Sequence, residues 1–348
     1  MNITRKLATI QTVKEVLPIE GADNIVLVTF RSNNWKCVMK KDEAKEGLKV
    51  MYFEIDSLLP KDDERFAFME PRGYRVKTVK LRGQVSQGLA LPLTAFPEFA
   101  DPDEVTDDGT DYTAALNVEK YEPPISVQMG GDVKGAFPGF VMKTDEERIQ
   151  NYTEEDLARF FAHPLIATVK IDGTSGTFYF NEQAGEHGEF GVCSRNLELR
   201  DTESNIYWKM ARKYDLENRM RKLGYSFAIQ GEVAGPGIQK NRAHLEEVML
   251  LVFTVQDLEE HRRLTIDEMT KVISDLNSLS DATPIVMVPE VGRYEPNTFS
   301  TYDELLTLSQ GDAVLSQYVR EGIVVRAMDD DTISFKVINP KYLLKFDL

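Results

Sequence analysis

A chain of 348 residues with 42% apolar and 9% aromatic content can bury two ordinary cores, which excludes a disordered polymer. No window approaches the roughly 18 consecutive apolar residues of a membrane span, and Met1-Asn-Ile-Thr-Arg-Lys6 lacks the apolar run of a secretory signal. The net charge of −16 argues against a protein that is basic throughout, so any nucleic-acid partner needs a local basic strip.

Charge is unevenly distributed. Residues 1–92 carry 16 Lys/Arg against 12 Asp/Glu, whereas residues 93–125 carry 1 base against 9 acids. The two cysteines, Cys37 and Cys193, are far apart and lack metal-site spacing. They fit a reducing, intracellular setting, cytoplasmic or nuclear, without a zinc cluster.

In the first ninety residues, Ala8–Val16, Ile25–Arg31, Trp35–Met39, Lys49–Glu54, Arg75–Leu81 and Leu89–Leu91 read as strands. They are rich in Val, Ile, Tyr and Phe, and Gly21, Asn33-Asn34, Gly47, Pro60 and Gly73 punctuate them. Arg75–Arg82 alternates base and apolar residue, which on a strand turns Arg75, Lys77 and Lys80 or Arg82 outward. So many short strands predict an OB-type β-barrel over residues 1–122. Its outward bases either contact an oligonucleotide or merely solvate an edge strand. Asp101-Pro-Asp-Glu104, Asp107-Asp108, Pro123-Pro124, Gly130-Gly131 and Pro138-Gly139 mark a boundary, with a linker over 123–140.

From residue 141 strands mix with helices, which predicts an α+β domain of two antiparallel sheets with flanking helices. Thr153, Thr265 and Thr301, each followed by acids, read as helix starts, and Ser204–Leu223 reads as one longer helix. Apolar strands are expected at Leu165–Ile171, Thr174–Phe180, Phe190–Cys193, Phe227–Val233, Met249–Val255, Ile285–Val291, Gly322–Ala327 and Ile333–Ile338.

Lys170-Ile-Asp172-Gly173 ends the first of these strands. A lysine becomes a nucleophile at neutral pH only when burial, neighbouring cations or a metal free its lone pair. Alone, the four residues also fit a surface Asp-Gly turn. Further charged residues sit on or beside later strands: Ser194-Arg195, Glu232 after Gly231, Glu321 before Gly322, and Lys336 within Ile333–Ile338. Phe253 lies inside Leu250–Val255. A charge inside an apolar strand needs a partner.

In order and spacing these segments resemble the covalent nucleotidyltransferase superfamily of polynucleotide ligases and mRNA capping enzymes. Lys170–Gly173 resembles motif I, Ser194-Arg195 motif Ia, Glu232 motif III, Phe253 motif IIIa, Glu321 motif IV and Lys336 motif V. Only twelve residues follow Lys336, and the barrel-like region stands in front. That arrangement resembles ATP-dependent RNA ligases with an N-terminal OB domain, as do Gly231–Asn241 and Lys143–Gln150. The resemblance implies that 141–348 is an adenylyltransferase domain. It implies an ATP-dependent ligase that joins 3′-OH and 5′-phosphate RNA ends through lysyl-N-AMP on Lys170, at nicks in duplex RNA or RNA/DNA hybrids. Arg148, Asp172, Gly173, Arg195, Glu232, Phe253 and Lys336 are then expected to bind nucleotide. Lys336 would also act catalytically, contacting the α-phosphate and helping to keep Lys170 unprotonated. Glu232 and Glu321, with Asp172, are expected to hold a divalent metal, Mg or Mn. No membrane and no protein partner are implied. Many related ligases carry Lys-x-Lys in motif V, but the second position here is Ile338, leaving Lys341 or Lys345 for that role. A DNA ligase would carry the same motifs, and a nucleic-acid-binding protein with an inactive transferase half is a further alternative.

Overall fold

A computed structural model describes residues 5–99, 108–121, 132–185, 188–312 and 318–348. The first sheet is antiparallel, in the spatial order Lys36–Lys40, Ile25–Phe30, Ala8–Pro18, Lys49–Phe53, Leu89–Pro92. Its longest strand changes partner midway. Ala8–Thr12 pairs with Lys49–Phe53, and the remainder pairs with Val26–Phe30 after a register shift at Lys14. A bulge bends and twists a strand, so one strand serves both halves of a curled sheet. Lys49–Phe53 is buried on both faces. Val50 and Tyr52 meet Val13, Phe30 and Trp35, while Met51 and Phe53 meet Ile10, Phe66 and Phe96.

The expected strand Arg75–Leu81 is shorter, Thr78–Leu81, in a hairpin with Gln84–Gln87. Arg75 and Lys77 precede it and are already engaged: Arg75 pairs with Asp56 at 2.7 Å over the Tyr121 ring, and Lys77 pairs with Asp347 at 2.7 Å. Lys80 and Arg82 remain exposed.

Of the expected linker, residues 123–131 lie outside the described residues, as do Asp101–Asp107. Val133–Ala136 is a strand, paired with Leu197–Leu199 at the edge of the larger sheet. The larger sheet continues through Glu189–Cys193, Thr174–Asn181, Phe227–Ala234, Met249–Asp257 and Arg262–Arg263. The facing sheet runs Glu147–Arg148, Ser334–Ile338, Gly322–Ala327, Leu165–Lys170, Glu290–Tyr294. Both sheets were expected to be wholly antiparallel, but each holds one parallel pair. Val286–Met287 joins Met249–Asp257, and Glu147–Arg148 joins Ser334–Ile338.

Thr153 and Thr265 begin the helices Glu154–Phe161 and Ile266–Ser278 in capping boxes with Asp156 and Glu268. The Thr301 N–H donates to Glu304 at 2.9 Å at the start of Tyr302–Ser309. The expected helix Ser204–Leu223 is two helices, Ile206–Lys213 and Leu216–Leu223, broken at Asp215 with φ 50°. Tertiary contacts account for the break. Asp215 accepts from Ser280 Oγ at 2.8 Å, and fully buried Arg219 donates to the carbonyls of Ser280, Ala282 and Thr283. The last helix, Pro340–Phe346, returns to the first sheet, where Ile338 and Leu343 pack with Val13, Val28 and Trp35. Among the described residues no helix is long and apolar enough to cross a membrane.

Candidate active site

Lys170 closes the strand Leu165–Lys170, opposite Gly322. Directly paired residues share a sheet face, so Ile166, Thr168 and Lys170 line up with Arg326, Val324 and Gly322. Lys336, opposite Val324, and Arg148, beside Lys336, extend that face. Glu321 immediately precedes Gly322, and its two carboxylate oxygens each lie 2.8 Å from Lys170 Nζ. Glu232 comes from the other sheet, where it pairs with Ser175 and Leu251.

Gly173 joins the two. Its N–H donates to the Glu232 carboxylate, and a Cβ there would stand 2.5 Å from the Val233 carbonyl oxygen and 2.9 Å from Glu232 Cγ. The glycine is needed for close backbone approach to the neighbouring strand.

Burial disfavours the Lys170 cation, but the carboxylates of Glu321 and Glu232 outweigh it and hold its pKa above the ordinary lysine value. The expected lowering of that pKa by nearby cations is therefore overridden while both carboxylates face it. Burial, with Glu321 and Asp172 near, pushes Glu232 up to about 8, and burial likewise raises Glu321. Lys336 goes the other way, to about 7, because it is buried beside Arg148, Lys170 and Arg5. Among the described residues the Lys336 ammonium has no ion-pair partner.

Arg148 is buried and reaches Asp56 at 3.2 Å, in a group that also holds Arg5, Glu54 and Arg75. Its Nε and Nη1 atoms have no hydrogen-bond partner. Nε nonetheless lies 3.8 Å from a Glu54 carboxylate oxygen, which leaves Nη1 as the nitrogen open to a further acceptor.

Asp172 does not point at Lys170. Its Oδ2 accepts from Arg242 Nη1 and from the Tyr342 hydroxyl, both at 2.7 Å. Arg195 pairs with Asp145 at the surface. Lys341 and Lys345 are exposed on the last helix, and neither forms an ion pair with the cluster. Among the described residues no three His, Cys, Asp or Glu side chains converge in a form that could hold a metal ion.

Phe253 sits where the pairing of Met249–Asp257 with Phe227–Ala234 slips by one residue, between Val252 and Thr254. Bulges of this sort re-aim a side chain. The ring lines a cleft with Ile166, Thr168, Met287, Val288 and Arg326. Arg326 braces the bulge, with Nη1 donating to the Phe253 carbonyl at 2.6 Å and Nη2 to Thr254 Oγ1 at 2.8 Å. Glu146, nearly buried, pairs with Arg326 at 3.2 Å and Arg263 at 3.4 Å. The motifs assign no role to Arg326. As a charge inside the apolar strand Gly322–Ala327, it is open to the same reasoning that singled out Lys336.

A family model described as RNA ligase matches residues 163–338, and one described as an OB-fold domain matches residues 7–93. The chain belongs to the RNA ligase family. Among solved structures it is similar to the Naegleria gruberi RNA ligase with PPi, at 35% identity and TM-score 0.88, over 99% of each chain. It is likewise similar to a mutant of that ligase with ATP and Mn, at 36% identity and TM-score 0.87, over 97% of this chain and 98% of the other. A mutant with AMP and Mn matches at 35% identity and TM-score 0.87, with the same coverage. No curated protein gives a significant match. The α+β architecture, with an OB-fold domain preceding the ligase domain, follows from both family matches.

Proposed function

We propose that this RNA ligase uses ATP to join a 3′-OH RNA end to a 5′-phosphate RNA end, at nicks in duplex RNA or RNA/DNA hybrids. The carrying observation is Lys170, held by Glu321 and facing Glu232, with Lys336 and Arg148 on the same sheet face.

Lys170 Nζ attacks the α-phosphorus of ATP. A P–N bond forms, the bond to the β-phosphate oxygen breaks, pyrophosphate leaves and the amine gives up a proton. The 5′-phosphate of the RNA then attacks the lysyl-linked phosphorus, taking AMP and returning the amine to Lys170. Finally the 3′-hydroxyl attacks that 5′-phosphate and AMP departs. Charge moves between phosphate oxygens throughout, so catalysis rests on positioning and electrostatics. Lys336 and Arg148 Nη1 supply positive charge for the phosphates, and Phe253 offers a ring for the adenine.

The oxygen-only donors Glu232 and Glu321 fit a hard cation such as Mg or Mn. Burial is the largest cause of the raised pKa of each and disfavours their charged forms, a cost that a bound cation offsets. A divalent cation held there would neutralise charge on the reacting phosphate. Glu321 and Glu232 would then no longer hold the Lys170 proton, which leaves the amine free to attack.

The test is label transfer from α-labelled ATP to protein. Wild-type chain is expected to take label and Lys170→Ala none; labelling of the variant overturns the assignment. Nicked duplexes with RNA or DNA at the 3′-end then measure sugar preference, and equal sealing of both overturns RNA specificity.

A further inference from the structure

Beside the lysine pocket lies a cluster of rings and bases that the reaction above does not use. The loop from Gly235 to His244 follows the strand that carries Glu232, and its Arg242 donates to Asp172, two residues from Lys170. Gln239, Lys240, Asn241 and His244 hold φ of 43°, 63°, 45° and 51°. Residues with a Cβ avoid this left-handed region, and strain of this kind gathers at ligand sites. Asn241 pins the loop through two hydrogen bonds with the Leu245 backbone, at 2.9 and 3.0 Å.

The loop thereby presents His244 as an exposed ring lying flat on Tyr318, with centroids 3.9 Å apart and planes inclined by 15°. Tyr318 is itself 40% exposed, so the pair is not explained by burial in a core. Cations lie on one side of it. The Lys345 ammonium lies 5.9 Å from the Tyr318 ring and 5.2 Å from the Phe346 ring, and the Arg242 guanidinium lies 5.3 Å from Phe346. Among the described residues Lys240, Lys341 and Lys345 have no ion-pair partner. In a chain of net charge −16, Lys345 beside the stacked rings, with Lys341 one turn before it on the same helix, supplies local positive charge for a polyanion. Stacked rings flanked by such bases have the chemistry of a platform for single-stranded nucleic acid.

We propose that this surface docks the terminal nucleotide of an RNA strand whose end reaches Lys170. Its base stacks on Tyr318, while Lys240 and Lys345 meet the adjoining phosphates. The proposal rests on the ligase reading above, because it supplies the strand on which the lysine-bound AMP acts. The Arg242–Asp172 and Tyr342–Asp172 contacts tie the platform to the segment that carries Lys170.

The test uses the full chain with Tyr318→Ala, His244→Ala and Tyr318→Phe. Labelling by α-labelled ATP without RNA is expected to match wild type in all three, which also reports folding. The KM for a nicked RNA duplex should rise about tenfold in Tyr318→Ala and stay near wild type in Tyr318→Phe, while the KM for ATP stays fixed. Fluorescence anisotropy with a short 5′-phosphorylated RNA, which needs no sealing, should show the same loss of affinity. Equal anisotropy curves for wild type and Tyr318→Ala overturn the proposal, and assign the platform elsewhere, such as to a protein partner. Failure of the wild-type chain to take label overturns the ligase reading instead, and leaves the anisotropy result to judge the platform.

Discussion

Both carboxylate oxygens of Glu321 lie 2.8 Å from the Lys170 ammonium. A counter-ion this close holds the proton that Lys170, as the proposed nucleophile, must lose before it attacks. Two roles for Glu321 therefore predict opposite outcomes. If it served only as counter-ion, Glu321→Gln would free the amine and speed label transfer. As a cation ligand it is required, and the expected result is labelling slowed roughly 100-fold, partly recovered by raising Mn. Single-turnover labelling at several Mn concentrations decides between them.

Lys336, lowered to about 7 by burial beside Arg148 and Lys170, is largely uncharged at pH 8. A bound triphosphate favours its charged form, so ATP binding at pH 8 should take up a proton, and affinity should fall as pH rises above about 7. Calorimetry in buffers of different ionisation enthalpy should show the uptake in wild type and its loss in Lys336→Met. The same residue affects stability. Between about 7 and the ordinary lysine value near 10.4 the unfolded chain binds this proton and the folded chain does not, so its contribution to stability grows with pH over that window.

Arg326 holds the Phe253 carbonyl and Thr254 hydroxyl while pairing with Glu146. Arg326→Met removes charged hydrogen bonds worth about 2 kcal/mol and releases the bulge that aims the ring. A higher KM for ATP, about tenfold, is expected with little change in the sealing of RNA that already carries AMP on its 5′-phosphate. Arg326→Lys should recover part of the loss. Unchanged ATP kinetics in the Met variant would remove Arg326 from the positioning of the base platform.

Asp56 joins Arg148 to Arg5 and Arg75. Burial raises its pKa, but the Arg148, Arg5 and Arg75 cations outweigh this and hold it below the usual carboxylate range. Its contribution to stability is therefore complete above about pH 4 and lost as pH falls further. Asp56→Asn should cost about 3 kcal/mol at pH 7, since it leaves buried Arg148 short of a partner. The denaturant midpoint should fall, and the difference from wild type should shrink below about pH 3.

The residues proposed to carry the chemistry are the legible part of the sequence. Lys170, Glu232, Glu321 and Lys336 stand out because each puts charge on or at the end of an apolar strand, a pattern that local physics alone flags. Side chains whose role depends on distant partners left no such mark. Asp172 reads as a ligand beside Lys170, yet Tyr342, 170 residues away, turns it aside. Arg75 and Lys77 alternate as outward bases, but Asp56 and Asp347 draw them into ion pairs. The periodicity of Ser204–Leu223 continues past Asp215, where the carbonyls that receive Arg219 impose a break. Glycine and proline density predicts a linker at Val133–Ala136, but hydrogen bonds to Leu197–Leu199 make it an edge strand.

The return of the last helix to the first sheet makes the two halves of the chain depend on one another. Ile338, Leu343 and Leu348 complete an apolar cluster built on Val13, Val28 and Trp35, and the Thr78 N–H donates to the Leu348 carbonyl at 3.3 Å. In the folded chain the amino-terminal sheet therefore covers this apolar side only with residues 338–348 in place. Tyr342, on the last helix, donates to Asp172, two residues from Lys170. One short segment thus belongs at once to the core of the first sheet and to the surroundings of Lys170, so a change that loosens either reaches the other.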